Sequence, residues 1–314
     1  MGRELEKPSN QKAFEKGFWS QKEVKNTYLN ERKQYIWNKD YFERTLLPLF
    51  ALNEDSKVVD VGCGLGFFTE MLSIYVPKGK VLGIDLDSKL VEEAQKRVST
   101  LRGREVPEFR TGDAYNLPLP NGFADFTICQ TLLMHLSDPA KAINEMKRIT
   151  KRGGTVSAIE RDYTGMTSFD TGMEKLCLSL EKRLFLRRAD MLINEGKRHL
   201  GGGDNEIGSK VPILFHRNGL QILDVRVIDR VFWLIPPYTG RELELKQYAV
   251  PPEVWVKQLG IQDHFMAGGG TEEEWNKYYA LMQELFDIHR QQIENASFVS
   301  VAMSPATITV ARRP

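Results

Sequence analysis

The 314-residue sequence has few cysteines, almost no net charge and no long apolar run. Its three cysteines, Cys63, Cys129 and Cys177, have no metal-ligand spacing, so no bound metal is expected. Such sparing use of cysteine predicts a reducing compartment, and we expect a cytoplasmic protein. The sequence lacks an apolar run of about 18 residues, which predicts that no segment spans a membrane. The polar stretch at residues 1–10 does not resemble a signal segment.

The charge balance limits the partners that the sequence favours. A net charge of +1 argues against bulk duplex nucleic acid, because binding to it is dominated by phosphate charge. A local basic patch remains compatible with this balance. Interleaved with acids, six bases cluster in one predicted helical region: Lys182, Arg183, Arg187, Arg188, Lys197 and Arg198. Such a run is typical of a solvated face. The alternative is that it binds an anionic acceptor or a phosphate-bearing partner.

The composition is otherwise that of a folded globular protein. Hydrophobic residues make up 41% of the chain and aromatic residues 10%. The length exceeds that of most single domains, so we expect one α/β domain with a substantial cap.

The most informative feature is a glycine-rich turn. A short apolar strand, predicted to end at Val61, runs directly into Gly62, Gly64 and Gly66, and a helical stretch follows from Phe67. Glycine is needed where a chain turns sharply or where a ligand approaches bare backbone. Between a strand and the start of a helix, such a turn presents backbone N–H groups to a nucleotide-like ligand. A dinucleotide site would instead place its third glycine at position 67.

The G-x-G-x-G spacing, with Asp60 two residues before the first glycine, resembles the first motif of class I S-adenosylmethionine-dependent methyltransferases. Later segments resemble the same family in the same order. They include a second strand ending in Asp85, a third ending near Asp113, and a fifth strand over residues 153–160. The stretch at residues 131–139, after the fourth strand, resembles the small-molecule branch of quinone-biosynthesis type. The resemblance implies S-adenosylmethionine as the cofactor and S-adenosylhomocysteine as the product.

The resemblance also implies a set of cofactor-binding residues. A carboxylate at Asp85 would accept hydrogen bonds from both ribose hydroxyls. Asp113 and the next backbone N–H would hold the adenine edge, Gln130 would border the amino-acid end, and Tyr28 is a candidate to line the methionine end. The full expected set is Tyr28, Asp60, Gly62, Cys63, Gly64, Gly66, Asp85, Leu86, Gly112, Asp113, Ala114 and Gln130.

Alternating strand and helix patterns, together with the resemblance, predict an α/β fold. We expect a Rossmann-like, seven-stranded, mostly parallel sheet with strand 7 antiparallel, plus helical cap insertions. The expected segments are an N-terminal helical lid at 1–50, the cofactor-binding core at 51–163, a helical cap insertion at 164–206, the core continuation at 207–238, a second helical insertion at 239–296 and the final core strand at 297–314.

Four local predictions are more specific. Ser88 is the expected N-cap of the helix after the second strand. A single long amphipathic helix is predicted over residues 173–196. The sixth strand is predicted at 221–233 and the seventh at 298–311, both from alternating apolar and polar residues.

Three residues are candidates for a catalytic role. Methyl transfer from a sulfonium already has a good leaving group, so the protein mainly aligns the acceptor and excludes water. A general base helps where the acceptor must lose a proton. His135 follows the fourth strand and is the best-placed base, with a structural role at a helix start as the alternative. Glu160 and Arg161 end the fifth strand and are candidates to orient an acceptor or to pair with one another.

The sequence thus predicts an S-adenosylmethionine-dependent methyltransferase. It is expected to transfer a methyl group to a small, partly apolar acceptor by direct in-line substitution, since aromatic-rich caps favour an enclosed pocket. One alternative is an RNA or protein methyltransferase, and another is a non-catalytic protein that binds S-adenosylmethionine. A homodimer is an arrangement that the sequence leaves open.

Overall fold

The computed structural model describes residues 39–99, 106–163, 167–228, 231–241, 245–246, 248–303 and 306–314. It divides into two compact units. The large-sheet unit contains the described residues within 39–163, 205–228 and 306–314, and the small-sheet unit contains those within 167–204 and 231–303. Most of the predicted N-terminal lid, with Tyr28, lies outside the described residues.

Seven strands form the sheet of the large-sheet unit. They are β1 (Lys57–Val61), β2 (Lys80–Asp85), β3 (Glu108–Thr111), β4 (Ala124–Gln130), β5 (Thr150–Arg161), β7 (Gln221–Val227) and β10 (Ala306–Arg312). Their order in the sheet is β3-β2-β1-β4-β5-β10-β7. The first five in this order pair in parallel, and β10 lies antiparallel between β5 and β7. This topology confirms the predicted fold class.

Nine α-helices of five residues or more are present in the described chain. In chain order they are α1 (Phe67–Ser73), α2 (Ser88–Val98), α3 (Pro139–Ile149), α4 (Thr171–Lys175), α5 (Leu180–His199), α6 (Val211–Arg217), α7 (Pro252–Leu259), α8 (Ile261–Ala267) and α9 (Glu272–Glu294). Shorter helical turns lie at Lys39–Tyr41, Phe42–Leu46, Leu47–Phe50, Leu133–His135 and Gly208–Lys210.

Successive residues of a strand point to opposite sides of a sheet, and in the central strands of the large sheet both sides are buried. In β1, Val59 and Val61 pack into one apolar cluster with residues of α3 and α6. Val58 points the other way, into a second cluster with Phe50 and Phe126. A parallel sheet covered on both faces brings the carboxyl ends of its strands to one edge, where such folds bind their ligands.

The small-sheet unit combines helices with a three-stranded antiparallel sheet. Its strands are β6 (Thr167–Asp170), β8 (Val231–Leu234) and β9 (Ser300–Met303), in the order β6-β9-β8. Among its helices, Ala189 and Ile193 of α5 pack in one cluster with Phe265, Trp275 and Tyr278 of α8 and α9. Gly196 permits the close crossing of α5 and α8, since a Cβ there would lie 1.6 Å from the carbonyl oxygen of His264.

The helix predictions need two corrections. The N-cap of α2 is Asp87 and not Ser88, because the Asp87 carboxylate accepts the N–H of Lys89 at 3.0 Å. The single helix predicted over residues 173–196 is two helices, α4 and α5. Cys177 lies between them with a φ of +44°, a conformation that a right-handed helix does not continue through. The apolar periodicity carries on across this break and conceals it.

The strand predictions were wrong in the same way at two places. The alternating pattern predicted at 221–233 is divided into β7 and β8, and that at 298–311 into β9 and β10. In each case one strand belongs to the large sheet and the other to the small sheet. Strand β6, the third member of the small sheet, was not predicted. Alternation reports which face of a strand is buried but not which sheet the strand joins.

A large-to-small substitution in the second cluster tests the packing of the large sheet. Phe126 is fully buried, and its ring stacks on Phe50 with 4.6 Å between centroids. Phe126→Ala should lower the free energy of unfolding by about 3–5 kcal/mol, the usual cost of such a cavity. Urea denaturation followed by far-ultraviolet circular dichroism measures this. Ile213→Ala, at a side chain that is 52% exposed, is the control and should change little; equal losses in both variants would contradict the packing described.

Candidate functional site

The turn after β1 is held in shape by its own backbone. The N–H groups of Gly62 and Cys63 both donate to the carbonyl oxygen of Ile84 in β2, at 2.7 and 3.1 Å. The N–H of Gly66 donates to the carbonyl of Cys63 at 2.8 Å. All three glycines have positive φ, namely 74°, 53° and 73° at positions 62, 64 and 66. Residues with side chains rarely adopt this conformation, so the turn needs glycine at these positions.

Two of the three glycines are also packed against side chains, one from the chain after β4 and one from β3. A Cβ at Gly62 would lie 2.8 Å from Cδ1 of Leu132, and one at Gly66 would lie 2.3 Å from Cε1 of Phe109. A Cβ at Gly64 would meet nothing within 4 Å. The turn is therefore supported on both sides, with open space at its centre.

Asp85, the last residue of β2, joins that open centre to the second strand. Its Oδ2 accepts the N–H of Gly64 at 2.8 Å, and its Oδ1 accepts the N–H of Asp87 at 2.9 Å. The carbonyl of Asp85 also accepts the N–H of Gly112 at 2.9 Å, which ties in the loop after β3. Burial raises the pKa of the Asp85 carboxyl, and these backbone donors act in the opposite direction. Each carboxylate oxygen retains capacity to accept a further hydrogen bond.

Asp60 lies beneath the turn and does not face solvent. Its side chain is 1% exposed, and its Oδ2 accepts the hydroxyl of Thr69 in α1 at 2.6 Å. Burial raises the pKa of the Asp60 carboxyl to about 7, while the Thr69 hydrogen bond acts to lower it. Asp60 thus connects β1 to α1 from inside. Burial, and then the charges of Asp60 and Asp85, raise the pKa of the Cys63 thiol, so it stays protonated.

Arg97 is a residue at the turn that the sequence analysis missed. From α2, its Nη2 donates to the carbonyl of Leu65 at 3.0 Å, and its Nη1 pairs with the carboxylate of Glu70 in α1. Its guanidinium lies 3.8 Å from the ring centroid of Phe67. One side chain therefore holds both the turn and the start of α1. Nothing in the local pattern marks Arg97, because its partners lie 27 to 32 positions earlier in the chain.

The loop after β3 contributes three of the predicted cofactor-binding residues, Gly112, Asp113 and Ala114. Asp113 is exposed, and its Oδ1 accepts the N–H of Tyr115 at 2.8 Å, which orients the loop locally. Gly112 is needed for space, because a Cβ there would lie 2.8 Å from a methyl of Ile84. Leu86, next to Asp85, is 45% exposed. These residues lie beyond the ends of β2 and β3, which pair in parallel.

Glu160 has a different environment from the one predicted for a group that orients an acceptor. Its side chain is fully buried. Its Oε1 accepts the N–H groups of Leu132 and Leu133 at 2.9 and 2.7 Å, and its Oε2 accepts the N–H of Met134 at 3.4 Å. The carboxylate thus anchors the chain after β4, and through Leu132 it supports Gly62. A carboxylate enclosed in this way holds the loop in place.

The other predicted residues of this edge follow β4 and end β5. Gln130 is the last residue of β4, His135 ends the short helical turn Leu133–His135, and Arg161 is the last residue of β5; all three are half-buried. The geometry brings His135 within the segment that Glu160 anchors. The roles of Gln130, His135 and Arg161 stay predictions.

The six bases grouped by the sequence analysis do not form one surface. Lys197 is buried, Arg198 pairs with Glu195 and with Asp204, and Arg188 pairs with Glu274. A continuous basic face for nucleic acid is therefore not present on α5.

Comparison with known proteins connects this geometry to a family. Residues 59–158 match the model of a methyltransferase domain. The match contains most of β1, the glycine turn, Asp85, the loop after β3 and most of β5. Residues 59–158 are therefore similar to a methyltransferase domain. The match agrees with the family resemblance found in the sequence, and S-adenosylmethionine is the cofactor of the family that the sequence resembles.

Two curated relatives and one solved structure are similar to this chain. An uncharacterised methyltransferase of Schizosaccharomyces pombe is 32% identical over 163 residues, which are 50% of this chain and 55% of that protein. A demethylmenaquinone methyltransferase of Geobacillus stearothermophilus is 28% identical over 145 residues, 46% of this chain and 59% of that protein. The chain thus spans little more than half the length of these relatives.

The solved structure is phosphoethanolamine N-methyltransferase 2 of Haemonchus contortus in complex with S-adenosyl-L-methionine. It has a TM-score of 0.50 and 13% identity, and the match covers 95% of this chain and 60% of that one. At this identity the likeness shows the fold alone.

Two absences apply to the residues that the structure describes. No group of three or more His, Cys, Asp or Glu side chains in those ranges is placed to hold a metal ion. Of the helices described there, none combines the length and apolar character that crossing a membrane requires.

Alanine substitutions at two glycines should separate binding from folding. Gly64→Ala places a methyl group in the open centre of the turn, so the protein should fold, at a cost of about 1–2 kcal/mol for the positive φ, but lose affinity for S-adenosylhomocysteine. Gly66→Ala forces Cβ into the Phe109 ring and should destabilise the fold further. Calorimetric titration and urea denaturation report the two effects. Adding Phe109→Leu to Gly66→Ala should recover part of the stability; full affinity in Gly64→Ala would contradict the site.

The raised pKa of Asp60 predicts a pH-dependent stability. Between about pH 4 and pH 7 the folded protein retains a proton on Asp60 that the unfolded chain has lost, so stability falls as pH rises through this window. Asp60→Asn removes this effect and can still accept the Thr69 hydroxyl. Its stability relative to wild type should improve between pH 5 and pH 8 by about 2–3 kcal/mol. Urea denaturation at both pH values measures this; a constant difference would contradict it.

Proposed function

We propose that the chain is an S-adenosylmethionine-dependent methyltransferase that acts on a small, partly apolar acceptor. The observation that carries the proposal is the prebuilt turn, in which Asp85 binds the N–H of Gly64 and the turn remains open at Gly64. A glycine with open space at its Cβ position, next to a carboxylate that can accept further hydrogen bonds, suits a nucleoside with free ribose hydroxyls. A negative charge at this position disfavours a 2′-phosphate.

The chain's own residues would hold the cofactor around this turn. Asp85 would accept the ribose hydroxyls, and the exposed Leu86 would lie against the adenine ring. Asp113 with the backbone of Ala114 would bind the adenine edge, and Gln130 would border the amino-acid end. The buried anchors Asp60 and Glu160 would act indirectly, by keeping the turn and the chain after β4 in place.

The reaction places few chemical demands on the protein. When bound, S-adenosylmethionine would supply an electrophilic methyl carbon to an electron pair of the acceptor, with S-adenosylhomocysteine as the leaving group. The protein aligns the acceptor and excludes water, which can lower the barrier by about 7–11 kcal/mol. An acceptor that carries a proton passes it to a base, for which His135 is the candidate.

The proposed acceptor class rests on one relative and on one stretch of the sequence. The relative from Geobacillus stearothermophilus is named a demethylmenaquinone methyltransferase, and this name gives a quinone as its methyl acceptor. The stretch at residues 131–139 carries the same resemblance in the sequence. A small acceptor with apolar character is the class that both observations favour. Helix α5 does not present a continuous basic face, so it gives no support to the alternative of an RNA substrate.

Transfer of a labelled methyl group tests the proposal. The purified protein is incubated with methyl-labelled S-adenosylmethionine and a cell extract separated into lipid, small polar and macromolecular fractions. The proposal predicts label in the organic-soluble or small-molecule fraction. Label found only in RNA or protein would contradict the acceptor class, and tight binding with no transfer in any fraction would favour the non-catalytic alternative. Boiled protein is the control.

Asp85 provides a direct test of the cofactor position. In Asp85→Asn, one of the two N–H donors now bound by the carboxylate would face an amide NH₂, and the ribose would lose a charged acceptor. Hydrogen bonds to charged groups contribute about 1.5–3 kcal/mol each, so affinity for S-adenosylhomocysteine should fall roughly 10- to 100-fold. Calorimetric titration measures this. Asp125→Asn, a carboxylate at the opposite end of β4, is the control and should bind normally.

His135 is tested by the pH dependence of the rate. If it removes the acceptor's proton, His135→Gln should lower kcat by about 10²–10⁴-fold and remove the acidic limb of the rate profile. Affinity for S-adenosylhomocysteine should stay unchanged. An unaltered kcat would assign His135 to the structure of the turn, the alternative noted from the sequence, and would leave the transfer itself unaffected.

A further inference from the structure

Helix α5 has an apolar ridge on the side away from its core. Leu180, Leu184 and Met191 are 58%, 61% and 62% exposed. Their spacing of four and seven residues places them in one row along the helix. On the opposite side, Ala189 and Ile193 are buried. The outer face, where a globular protein usually has polar residues, therefore presents large apolar side chains over about three turns.

Arginines flank this ridge on both sides. At 100° per residue, Arg183 and Arg187 lie along one side of the row and Arg188 along the other, and all three are exposed. Arg188 also pairs with Glu274, and Arg187 lies near the carboxylate of Asp190. From position 180 to position 191 the sequence contains four bases and two acids, so this part of the helix is net positive.

We propose that the ridge of Leu180, Leu184 and Met191 docks the protein on an anionic lipid surface. A helix that lies in the plane of a membrane buries a narrow apolar stripe just below the headgroups, while flanking arginines reach the phosphates. The charge of the flanks is complementary to such a surface. A single row of three side chains is too small for a stable protein interface, which buries about 800 Å² on each partner.

The proposal is independent of the methyl transfer proposed above. It concerns one face of the small-sheet unit and uses none of the residues assigned to the cofactor. Titration with S-adenosylhomocysteine can therefore be run on each variant as a separate measure of folding and of the cofactor site, so the failure of one proposal is distinguishable from the failure of the other.

Vesicle sedimentation tests the proposal. The full chain is mixed with vesicles of phosphatidylcholine alone and with vesicles that also contain phosphatidylglycerol. We expect binding to the anionic vesicles that weakens with added salt, and little binding to the neutral ones. Leu184→Glu, which places a carboxylate on the ridge, should reduce binding at least about tenfold. Arg183→Gln with Arg187→Gln should reduce binding by roughly fivefold per residue.

Two matched variants make the test specific. Ile213→Glu changes a side chain that is 52% exposed on α6, and Val301→Glu changes one that is 41% exposed on the small sheet; both should still bind. Loss of binding in Val301→Glu but not in Leu184→Glu would overturn the proposal in favour of the sheet face. Absence of binding to either kind of vesicle would also overturn it. So would a change in oligomeric state in Leu184→Glu, measured by light scattering, because the ridge would then bind a second protein chain.

Discussion

The hydrogen bond from the N–H of Gly64 to the carboxylate of Asp85 is the interaction on which the proposed site depends. It joins the turn after the first strand to the end of the second, and it holds the two at 2.8 Å. Because Gly64 has a positive φ and no neighbour at its Cβ position, this hydrogen bond shapes the turn without filling it. A cofactor that bound here would meet an ordered backbone, and little ordering would remain to oppose binding.

The turn is supported by residues from every neighbouring element. Leu132 packs on Gly62, Phe109 packs on Gly66, and Arg97 binds the carbonyl of Leu65. Leu132 is itself held through its backbone by the buried Glu160. The support therefore extends from the third strand to the fifth, across the edge at which the parallel strands end. Burying carboxylates is costly unless hydrogen-bond donors surround them, and Glu160 accepts three backbone N–H groups.

Much of this could be predicted from the sequence, because local patterns report local structure. The spacing of Gly62, Gly64 and Gly66 between an apolar strand and a helix predicted the turn. The resemblance identified the carboxylate of Asp85 at the end of the next strand, but not its hydrogen bond to Gly64. The seven-stranded sheet with an antiparallel last strand was predicted from a resemblance to a family whose motifs occur in the same order along the chain. The predicted sixth and seventh strands, at 221–233 and 298–311, each divide between two sheets. Alternation alone could not predict this division, because the pattern is the same in either sheet.

The support of the site could not be predicted from the sequence, since it depends on contacts between distant residues. Arg97 lies 32 positions after Leu65. Glu160 lies 28 positions after Leu132. In the sequence, Glu160 at a strand end has the same pattern as an acceptor-binding carboxylate. Only its burial and its three backbone donors separate the two roles. The break between α4 and α5 at Cys177 shows the same limit, because the spacing of apolar residues does not report a positive φ.

The central claim is that the glycine turn is the cofactor site. It is tested most directly by hydrogen exchange with and without S-adenosylhomocysteine, followed by mass spectrometry of peptides. The account predicts slower exchange on binding in peptides that cover residues 60–66, 84–86 and 112–114, with little change in α9. Protection confined to other parts of the chain, or no change at saturating S-adenosylhomocysteine, would contradict the assignment of the turn as the cofactor site.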